Sequence, residues 1–342
     1  MLLEKLCNAD GVSGNENKIR DIIISEITPY VDEISIDTMG NVIALKKGKS
    51  SDKRIMIAAH MDEVGFIASG YTDKGYIKFK TVGGIDTRVI ISKRVRTQSG
   101  VKGVIGIKAI HLQTPDERKS VPKISSLFID IGAKSKEEAK KHVKLGEYIT
   151  FDTEYSDLGS DKIKAKAMDD RVGCYVLCET LKNYQCPYDL YAVFCVQEEV
   201  GLRGAKIASY KISPDAALVL ECTTCADVYN TEPHEQVTLC GGGAALSIMD
   251  RASIADRQIT DALYSYAQNN SIPVQYKKTT NGGNDAGAIH ISREGVKTAA
   301  LSVPCRYLHS PVGVASKKDI ESAKKIAGAF CENIGGFLEW KL

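Results

Sequence analysis

Six acidic or imidazole residues mark the places where apolar, strand-like runs end or a helix-like pattern begins, although they span most of the chain: His60, Asp62, Asp169, Glu198, Glu199 and His309. Imidazole and carboxylate groups are common protein ligands of divalent metal ions in hydrolytic sites. In open, mostly parallel α/β sheets, functional groups gather outside the carboxyl ends of the strands, so residues distant in sequence meet there. The distribution therefore predicts a two-metal hydrolytic site.

The first pair follows an apolar run in the segment RIMIAAHMDEVG, residues 54–65. Alternate side chains of an extended chain share a face, so we expect His60 and Asp62 to point the same way, with Met61 opposite. A metal-binding imidazole needs its second ring nitrogen fixed, and a nearby carboxylate is the usual means. One residue can therefore bind while the other orients it. A strand-end histidine beside a solvated aspartate is the simpler interpretation of this segment taken alone.

The second position, Asp169-Asp170-Arg171, precedes a run whose apolar residues recur at helical spacing. A carboxylate in a first helical turn is stabilised by the free backbone N–H groups and by the helix dipole, so capping explains one aspartate. Capping alone does not explain two adjacent acids. Asp169 therefore remains a candidate for chemistry.

The third position is Gln197-Glu198-Glu199, which follows an apolar run from Asp189 to Val196. Neighbouring glutamates at a buried strand end repel each other and raise each other's pKa unless a cation neutralises them. Such a pair suits two tasks, because one glutamate can bind a metal while the other takes the proton of an attacking water. Two solvated glutamates on a loop are the alternative, which the preceding apolar run disfavours.

Two further strand ends complete the pattern: DAALVLECTT contains Glu221, and KTAALSVPCRYLHSP leads to His309. A lone histidine in a loop is usually incidental. A histidine or an acid at each of several strand ends instead favours a metal site.

Five motifs resemble, in order and spacing, the glutamyl and tetrahedral aminopeptidases, a family of cocatalytic two-metal enzymes with some members labelled endoglucanase-like: AHMDEVG, the DDR helix start, QEEVGLRGA, TNGGNDAGAIH and YLHSP. The segment from Ile110 to Ala133 is similar to that family's characteristic insert. The likeness covers nearly the whole chain, and five ordered motifs are more specific than any one of them.

The resemblance implies a role for each candidate residue. Asp169 would bridge two metal ions; His60 and Glu221 would complete the protein ligands of one ion, and Glu199 and His309 those of the other. Glu198 would be the general base and acid, and Asp62 would orient His60. The chain departs from the family pattern at Glu221, where aspartate is common, and at 241–244 (Gly-Gly-Gly-Ala), where proline usually follows the glycines.

The resemblance also implies an activity and an assembly. The chain would be a metal-dependent aminopeptidase that removes N-terminal residues from short peptides with two divalent ions per subunit, zinc or cobalt, with manganese also compatible with the ligands. Dimers formed through the insert would assemble into a hollow tetrahedral dodecamer. A metal-dependent deacylase or carboxypeptidase on the same core, and a non-catalytic metal-binding scaffold, are the alternatives. Glycoside hydrolysis fits poorly, because it usually depends on two unmetallated carboxyl groups.

Composition agrees with a globular enzyme. The 342 residues are 43% hydrophobic and carry a net charge of +2, which gives no electrostatic case for nucleic acid or membrane. Neither a long apolar stretch nor the core of a signal peptide is present, so we expect a cytoplasmic protein. Cys222 and Cys225 have the spacing of half a zinc site, but no second cysteine pair matches it, and the ten cysteines are expected to be reduced thiols.

The elements that must position these residues follow from periodicity. A helix is predicted over Ser13–Thr28, with Ser13 and Glu16 as a capping box, and a long helix from Ser316, with Asp319 as its capping partner. Alternating helix and strand patterns stop near Phe66 and resume near Ala165.

Short β-type runs separated by turns, and one helix over Lys136–Lys144, occupy the interval between these patterns. The predicted fold is therefore α/β, with a mixed, mostly parallel sheet flanked by helices in the manner of zinc peptidases, and with a small inserted, barrel-like β-rich domain. We expect residues 1–66 and 163–342 to form the catalytic domain and residues 67–162 the inserted dimerisation domain.

Overall fold

The computed structural model describes residues 1–337, which form one large sheet flanked by helices and one closed barrel. The strands, in chain order, are β1 (Glu33–Ile36), β2 (Val42–Lys46), β3 (Ser50–His60), β4 (Gly65–Tyr71), β5 (Ile77–Val82), β6 (Arg94–Thr97), β7 (Lys102–Ile107), β8 (Leu127–Asp130), β9 (Tyr148–Phe151), β10 (Ser156–Leu158), β11 (Lys162–Ala165), β12 (Tyr188–Cys195), β13 (Ala216–Thr224), β14 (Ala244–Leu246), β15 (Val274–Tyr276), β16 (Lys297–Arg306) and β17 (Gly313–Ser316).

The helices are α1 (Leu2–Asn8), α2 (Asn17–Ile27), α3 (Pro115–Lys119), α4 (Lys136–His142), α5 (Met168–Asn183), α6 (Arg203–Ile212), α7 (Arg257–Asn269), α8 (Ala286–Ile289) and α9 (Lys317–Phe337). Single 3₁₀ turns occupy Thr28–Tyr30, Thr87–Val89, Ile110–Leu112 and Ile124–Ser126.

The large sheet has the strand order β1-β2-β12-β3-β13-β16-β17-β11-β10, with β14 paired to β16 and β15 paired to β14. The four central strands β12, β3, β13 and β16 are parallel to one another. The neighbouring strands β2, β14 and β17 pair with them antiparallel, and β15 pairs parallel to β14. The carboxyl-terminal parts of β3 and β12 and most of β13 and β16 are buried, as expected for apolar strands covered on both faces. The mixed α/β prediction is confirmed.

Two layers of helices cover the sheet. Buried residues of α1, α2, α5, α7 and α9 share one apolar core with one face of the sheet. Residues of α6 and α8 form a second core with the alternate residues of the strands. Because the central strands are held on both faces, their carboxyl ends form a rigid edge on which a site can be built.

The barrel closes in the order β4-β5-β8-β7-β6-β9, with antiparallel pairing throughout. Phe66 packs edge-to-face against Phe79 and Phe151, with ring centroids 5.0 and 5.3 Å apart. This confirms the predicted inserted β-rich fold. Strand β10 lies between the barrel and β11 in sequence and pairs with β11 of the large sheet. The domain boundaries and the dimerisation role of the insert stay predictions.

Both predicted capping pairs have different partners in the structure. The Ser13 hydroxyl donates to Asp62 Oδ2 at 2.6 Å, and Glu16 Oε1 accepts from the backbone N–H groups of Gly14 and Gln197, so the capping box is wrong and α2 begins at Asn17. Asp319 is likewise not a capping partner, because its carboxylate accepts two N–H groups of the glycine-rich segment at 241–243.

Residues 1–337 contain no helix that is both long and apolar enough to cross a membrane. The ten cysteines are all free thiols, and nine of them are buried.

Candidate active site

The predicted site residues converge at the carboxyl edge of the central parallel strands. His60 is the last residue of β3, Glu221 lies in the carboxyl-terminal half of β13, and Glu198 and Glu199 follow β12. The remaining predicted residues, Asp62, Asp169 and His309, lie after β3, at the start of α5 and after β16. Strand order explains the convergence, because β12, β3, β13 and β16 are neighbours in the sheet.

Asp169 lies between the two histidines. Its Oδ1 atom is 3.4 Å from His60 Nε2, and its Oδ2 atom is 3.3 Å from His309 Nε2. His60 Nε2 is also 3.2 Å from Glu221 Oε1, while His309 Nε2 is 3.3 Å from Glu199 Oε1. The side chains thus form two groups that share Asp169.

Three buried carboxylate oxygens of this cluster, Asp169 Oδ1, Glu199 Oε1 and Glu221 Oε2, have no hydrogen-bond partner among residues 1–337. Buried polar atoms are rarely left without a partner, because their desolvation is then uncompensated. His60, Asp169 and Glu199 each offer a ligand atom within 4.8 Å of the others. A divalent cation fits this combination of imidazole and unpaired carboxylate groups.

Burial and mutual repulsion dominate the electrostatics of the cluster. Burial raises the pKa of Glu198 and of Glu221 well above the usual range, and neighbouring carboxylates raise both further against the opposing effect of His60. Burial also raises the pKa of Glu199, to about 7. Burial lowers the pKa of His309, but Asp169 and Glu199 outweigh it and raise the value to about 9. A bound cation would favour the ionised carboxylates and the neutral imidazole.

Asp170 has a structural role beside Asp169. It lies within ligand reach of His60 and Glu221, but both of its oxygens already accept backbone hydrogen bonds. Oδ2 accepts from the His60 N–H at 3.2 Å, and Oδ1 accepts from the Gly173 N–H at 2.9 Å. Glycine leaves room for this contact, since a Cβ at position 173 would lie 2.3 Å from both oxygens. Asp170 therefore positions the strand end that carries His60.

Arg171, the third residue of the DDR sequence, anchors the backbone around the site. Its side chain is fully buried, and its Nε donates to the Met61 carbonyl at 2.9 Å. Its Nη1 donates to the carbonyls of Leu6 and Ala9, and its Nη2 donates to Glu63 Oε1 at 3.4 Å. Asp169 thus joins the cluster, Asp170 fixes the His60 N–H, and Arg171 fixes the carbonyl of Met61, the residue after His60.

Asp62 connects the His60 strand end to the turn that carries the two glutamates. Its Oδ1 accepts from the Glu198 N–H at 3.0 Å, and its Oδ2 accepts from the Glu199 N–H at 3.2 Å. Its backbone carbonyl lies 3.1 Å from His60 Nδ1 and its Oδ1 lies 3.4 Å from the same atom. A His60 tautomer that donates from Nδ1 leaves Nε2 free to bind. Asp62 therefore contacts both His60 and the turn of Glu198 and Glu199, whereas the sequence predicted only its contact with His60.

The turn after β12 is supported from two sides. Gln197 has a φ of +55°, which is uncommon for a residue with a side chain. Its N–H donates to Glu16 Oε1 at 3.2 Å, so Glu16 and Asp62 together accept three successive N–H groups of the turn. Sequence reasoning missed Glu16 because its spacing from Ser13 matches a capping box.

The barrel also reaches the site, through the loop after β5. A Cβ on Gly83, whose φ is +81°, would lie 3.3 Å from Glu199 Cβ, and a Cβ on Gly84 would lie 3.7 Å from His309 Nδ1. A side chain at position 83 would crowd Glu199, and a Cβ at position 84 would be in van der Waals contact with His309. The inserted barrel therefore contributes part of the wall around the site.

A cleft of about 680 Å³ opens beside the cluster and is lined by Asp169, Glu198, Glu199, Glu221 and His309 among others. The turn formed by Gly282, Gly283 and Asn284 also lines it. The next residue, Asp285, was not predicted as a site residue. Both of its carboxylate oxygens are buried and lack a hydrogen-bond partner within residues 1–337, and its charge contributes to the raised pKa of Glu198. The motif TNGGNDAGAIH was the signal that could have identified it.

Solved structures with this arrangement of sheet, helices and barrel include aminopeptidases. The TET aminopeptidase from a marine sediment archaeon of the Thaumarchaeota has a TM-score of 0.94 at 37% sequence identity, covering 98% of this chain and 98% of that chain. The Pyrococcus horikoshii TET1 peptidase, which can assemble into a tetrahedron or a large octahedral shell, has a TM-score of 0.86 at 35% identity, covering 97% and 99%. Together with the cluster and its cleft, this likeness defines the protein as a peptidase.

Sequence comparison identifies the peptidase family more specifically than the likeness of the structures does. The lysyl aminopeptidase of Pyrococcus furiosus is 32% identical over 345 residues, which cover 97% of this chain and 96% of the relative. Residues 40–326 match the family model of the M42 glutamyl aminopeptidases. The chain therefore belongs to the M42 glutamyl aminopeptidase family, which confirms the resemblance carried by the five motifs.

Proposed function

We propose that this enzyme removes N-terminal residues from short peptides with two divalent metal ions held in its cluster. Asp169 carries the proposal, because its two oxygens face different histidines, at 3.4 Å from His60 and 3.3 Å from His309. One ion would be held by Asp169, His60 and Glu221, and the other by Asp169, His309 and Glu199. Zinc or cobalt suits this mixed ligand set best, and manganese is compatible with it.

Glu221 fits the ligand role despite the usual aspartate. It lies in β13, its Oε1 is 3.2 Å from His60 Nε2, and its Oε2 is a buried oxygen without a hydrogen-bond partner in residues 1–337. The longer side chain presents the same carboxylate from a strand position. The substitution therefore changes the reach of the ligand and keeps its chemistry.

In the proposed reaction, the metal ions and the side chains have different tasks. When bound, a pair of such ions makes water a nucleophile at neutral pH and polarises a scissile carbonyl. Glu198 lines the cleft, and its Oε2 lies 4.0 Å from His60 Nε2. Its carboxylate would take a proton from the attacking water and return it to the leaving amine. Asp62 would hold the backbone of Glu198 and the ring of His60 in place during both transfers.

Metal removal tests this proposal. Treatment with a chelator is expected to abolish hydrolysis of aminoacyl reporter substrates, and zinc, cobalt or manganese added singly is expected to restore it, because the ions supply the nucleophile. Metal content by mass spectrometry should approach two ions per chain. Matched substrates with an acetylated amino terminus should remain intact.

Each contrary result has a distinct meaning. Full activity in the chelated, metal-free protein would contradict the two-metal mechanism. Cleavage of the acetylated substrates would point to a deacylase. A requirement for a free carboxylate on the substrate would point to a carboxypeptidase. Bound metal with no hydrolysis of any substrate would favour the non-catalytic scaffold.

We also propose that the insert mediates dimers that assemble into a tetrahedral dodecamer, as the tetrahedral assembly of the Pyrococcus horikoshii relative suggests. Ile110, Leu112 and Val121 of the insert support this, because they are 71%, 61% and 56% exposed in the single chain. Light scattering after size exclusion is expected to give the mass of twelve chains. The mass of one chain would contradict this assembly.

The cytoplasm is the compartment that we propose, since ten free thiols fit a reducing environment.

A further inference from the structure

Cys222 and Cys225, which have the spacing of half a zinc site, belong to two different thiol pairs in the structure. Cys222 lies on β13, and its thiol is hydrogen-bonded to that of Cys305 on β16. Cys225 directly follows β13, and its thiol is hydrogen-bonded to that of Cys240. Neither Cys225 nor Cys240 belongs to a group of three or more potential metal ligands within residues 1–337. The geometry therefore favours thiol chemistry over metal binding at the second pair.

Backbone hydrogen bonds hold Cys225 and Cys240 in place on two separate segments. The Cys225 N–H donates to the Cys305 carbonyl at 3.0 Å. The Cys240 N–H donates to Asp227 Oδ2 at 3.0 Å, and Arg306 donates two hydrogen bonds of 2.8 Å to the same carboxylate. The two sulfur atoms are therefore neighbours on anchored backbone, so a bond between them needs little rearrangement of the chain.

The two thiols of this pair differ in exposure and in acidity. Cys225 is 5% exposed, whereas Cys240 is the one cysteine within residues 1–337 that is not buried. The hydrogen bond from Cys225 lowers the pKa of Cys240, and the same hydrogen bond, together with burial, raises the pKa of Cys225. An accessible, more acidic thiol beside a buried partner is the arrangement found in redox-sensitive cysteine pairs.

The pair formed by Cys222 and Cys305 lacks this difference. Both residues are buried, at 5% and 1% exposure. The Cys222 thiol donates to the Met168 carbonyl at 3.2 Å, and the Cys305 thiol donates to the Arg306 carbonyl at 3.4 Å. Because neither thiol is open to a reagent in solution, we expect this pair to stay reduced.

The loop between Cys225 and Cys240 forms part of the wall of the cleft beside the cluster. Val237 of this loop lines the cleft, as does Thr224, the residue before Cys225. The Thr238 hydroxyl donates to the Thr224 carbonyl at 2.9 Å, so a hydrogen bond already joins the two segments. A covalent bond between the cysteines would join the same two segments more firmly.

We propose that Cys225 and Cys240 form a reversible disulfide with a low-molecular-weight disulfide as oxidant, and that this bond fastens the loop of residues 226–239 to the end of β13. The Cys240 thiolate attacks one sulfur of the oxidant, whose S–S bond breaks, and the released thiolate takes up the proton that Cys240 lost. The Cys225 thiol then loses its proton and attacks the Cys240 sulfur, which releases the second thiol. The protein loses two hydrogen atoms, and the oxidant gains them.

Thiol counting and peptide mapping after treatment with glutathione disulfide test this proposal. The treated protein, once denatured, should present two fewer thiols than the ten of the reduced protein, and a reducing agent should restore them. Mass spectrometry of a non-reducing digest should find the peptides of Cys225 and Cys240 linked. The bond should also raise Tm by roughly 2–6 °C, because it closes a loop in the unfolded chain.

Cys240→Ser should keep all of its remaining thiols after the same treatment and show no rise in Tm. Cys305→Ser is the matched control, since it removes one thiol of the buried pair. This variant should still lose two thiols and form the link between Cys225 and Cys240.

Several results would overturn the proposal: no loss of thiols in the wild-type protein, a link that includes Cys222, or a mixed disulfide with glutathione that persists on Cys240. A disulfide between two chains, seen as a doubled mass on a non-reducing gel, would also overturn it. An unchanged Tm of the linked protein would show that the bond does not fasten the loop. These readouts follow sulfur and stability, so they do not depend on the proposed peptidase function.

Discussion

Replacement of Glu198 by glutamine is expected to lower kcat by roughly 10²- to 10⁴-fold, the contribution of a positioned general base and acid. Glutamine has nearly the same shape but cannot take up the proton. Glu198 lines the cleft, and none of its oxygens belongs to the buried, unpartnered set found in residues 1–337. The Glu198→Gln protein should therefore retain both metal ions and its thermal stability.

Glu199→Gln is the matched control, because it makes the same change one residue away. Glu199 Oε1 is buried, lies 3.3 Å from His309 Nε2 and has no hydrogen-bond partner in the described chain. Its replacement should release one metal ion, measured by mass spectrometry after dialysis. Loss of metal from the Glu198 variant, with metal retained in the Glu199 variant, would show that the two roles are reversed.

The convergence of the cluster was predictable because it follows from the geometry of parallel strands. Strand-end positions of His60, Glu199 and Glu221 lie at one edge whenever β12, β3 and β13 are neighbours, and apolar runs identify such strands without coordinates. The individual ligand roles came from the family resemblance. They remain proposals, although the distances around Asp169 support them.

The supporting contacts were not predictable from local patterns. Glu16 and Asp319 each follow a serine at capping spacing, yet their carboxylates accept N–H groups from turns far away in the sequence. The reason is competition: the turn after β12 and the glycine-rich turn at 241–243 have N–H groups that need acceptors. Helix starts can use other acceptors, including water. A sequence pattern that covers one segment cannot show from which distant N–H group a carboxylate accepts a hydrogen bond.

The second large effect is expected from Asp62→Ala, because one carboxylate supports both halves of the cluster. The substitution removes the acceptor for the Ser13 hydroxyl and for the N–H groups of Glu198 and Glu199. Each buried donor left without a partner costs about 1–3 kcal/mol of stability. It also removes the carboxylate beside His60 Nδ1, and loss of such a contact typically lowers metal affinity by roughly 10- to 100-fold.

Metal titration and thermal unfolding of the metal-free and metal-loaded forms separate these effects. Asp62→Asn keeps a carbonyl oxygen that can accept one of the two turn N–H groups, so its metal affinity and kcat should fall between those of Asp62→Ala and the wild-type enzyme. Ser13→Ala removes only the hydroxyl contact and should alter stability with little change in metal affinity. Unchanged metal affinity and kcat in Asp62→Ala, with only a lower Tm, would mean that Asp62 stabilises the fold without positioning His60 or the glutamate turn.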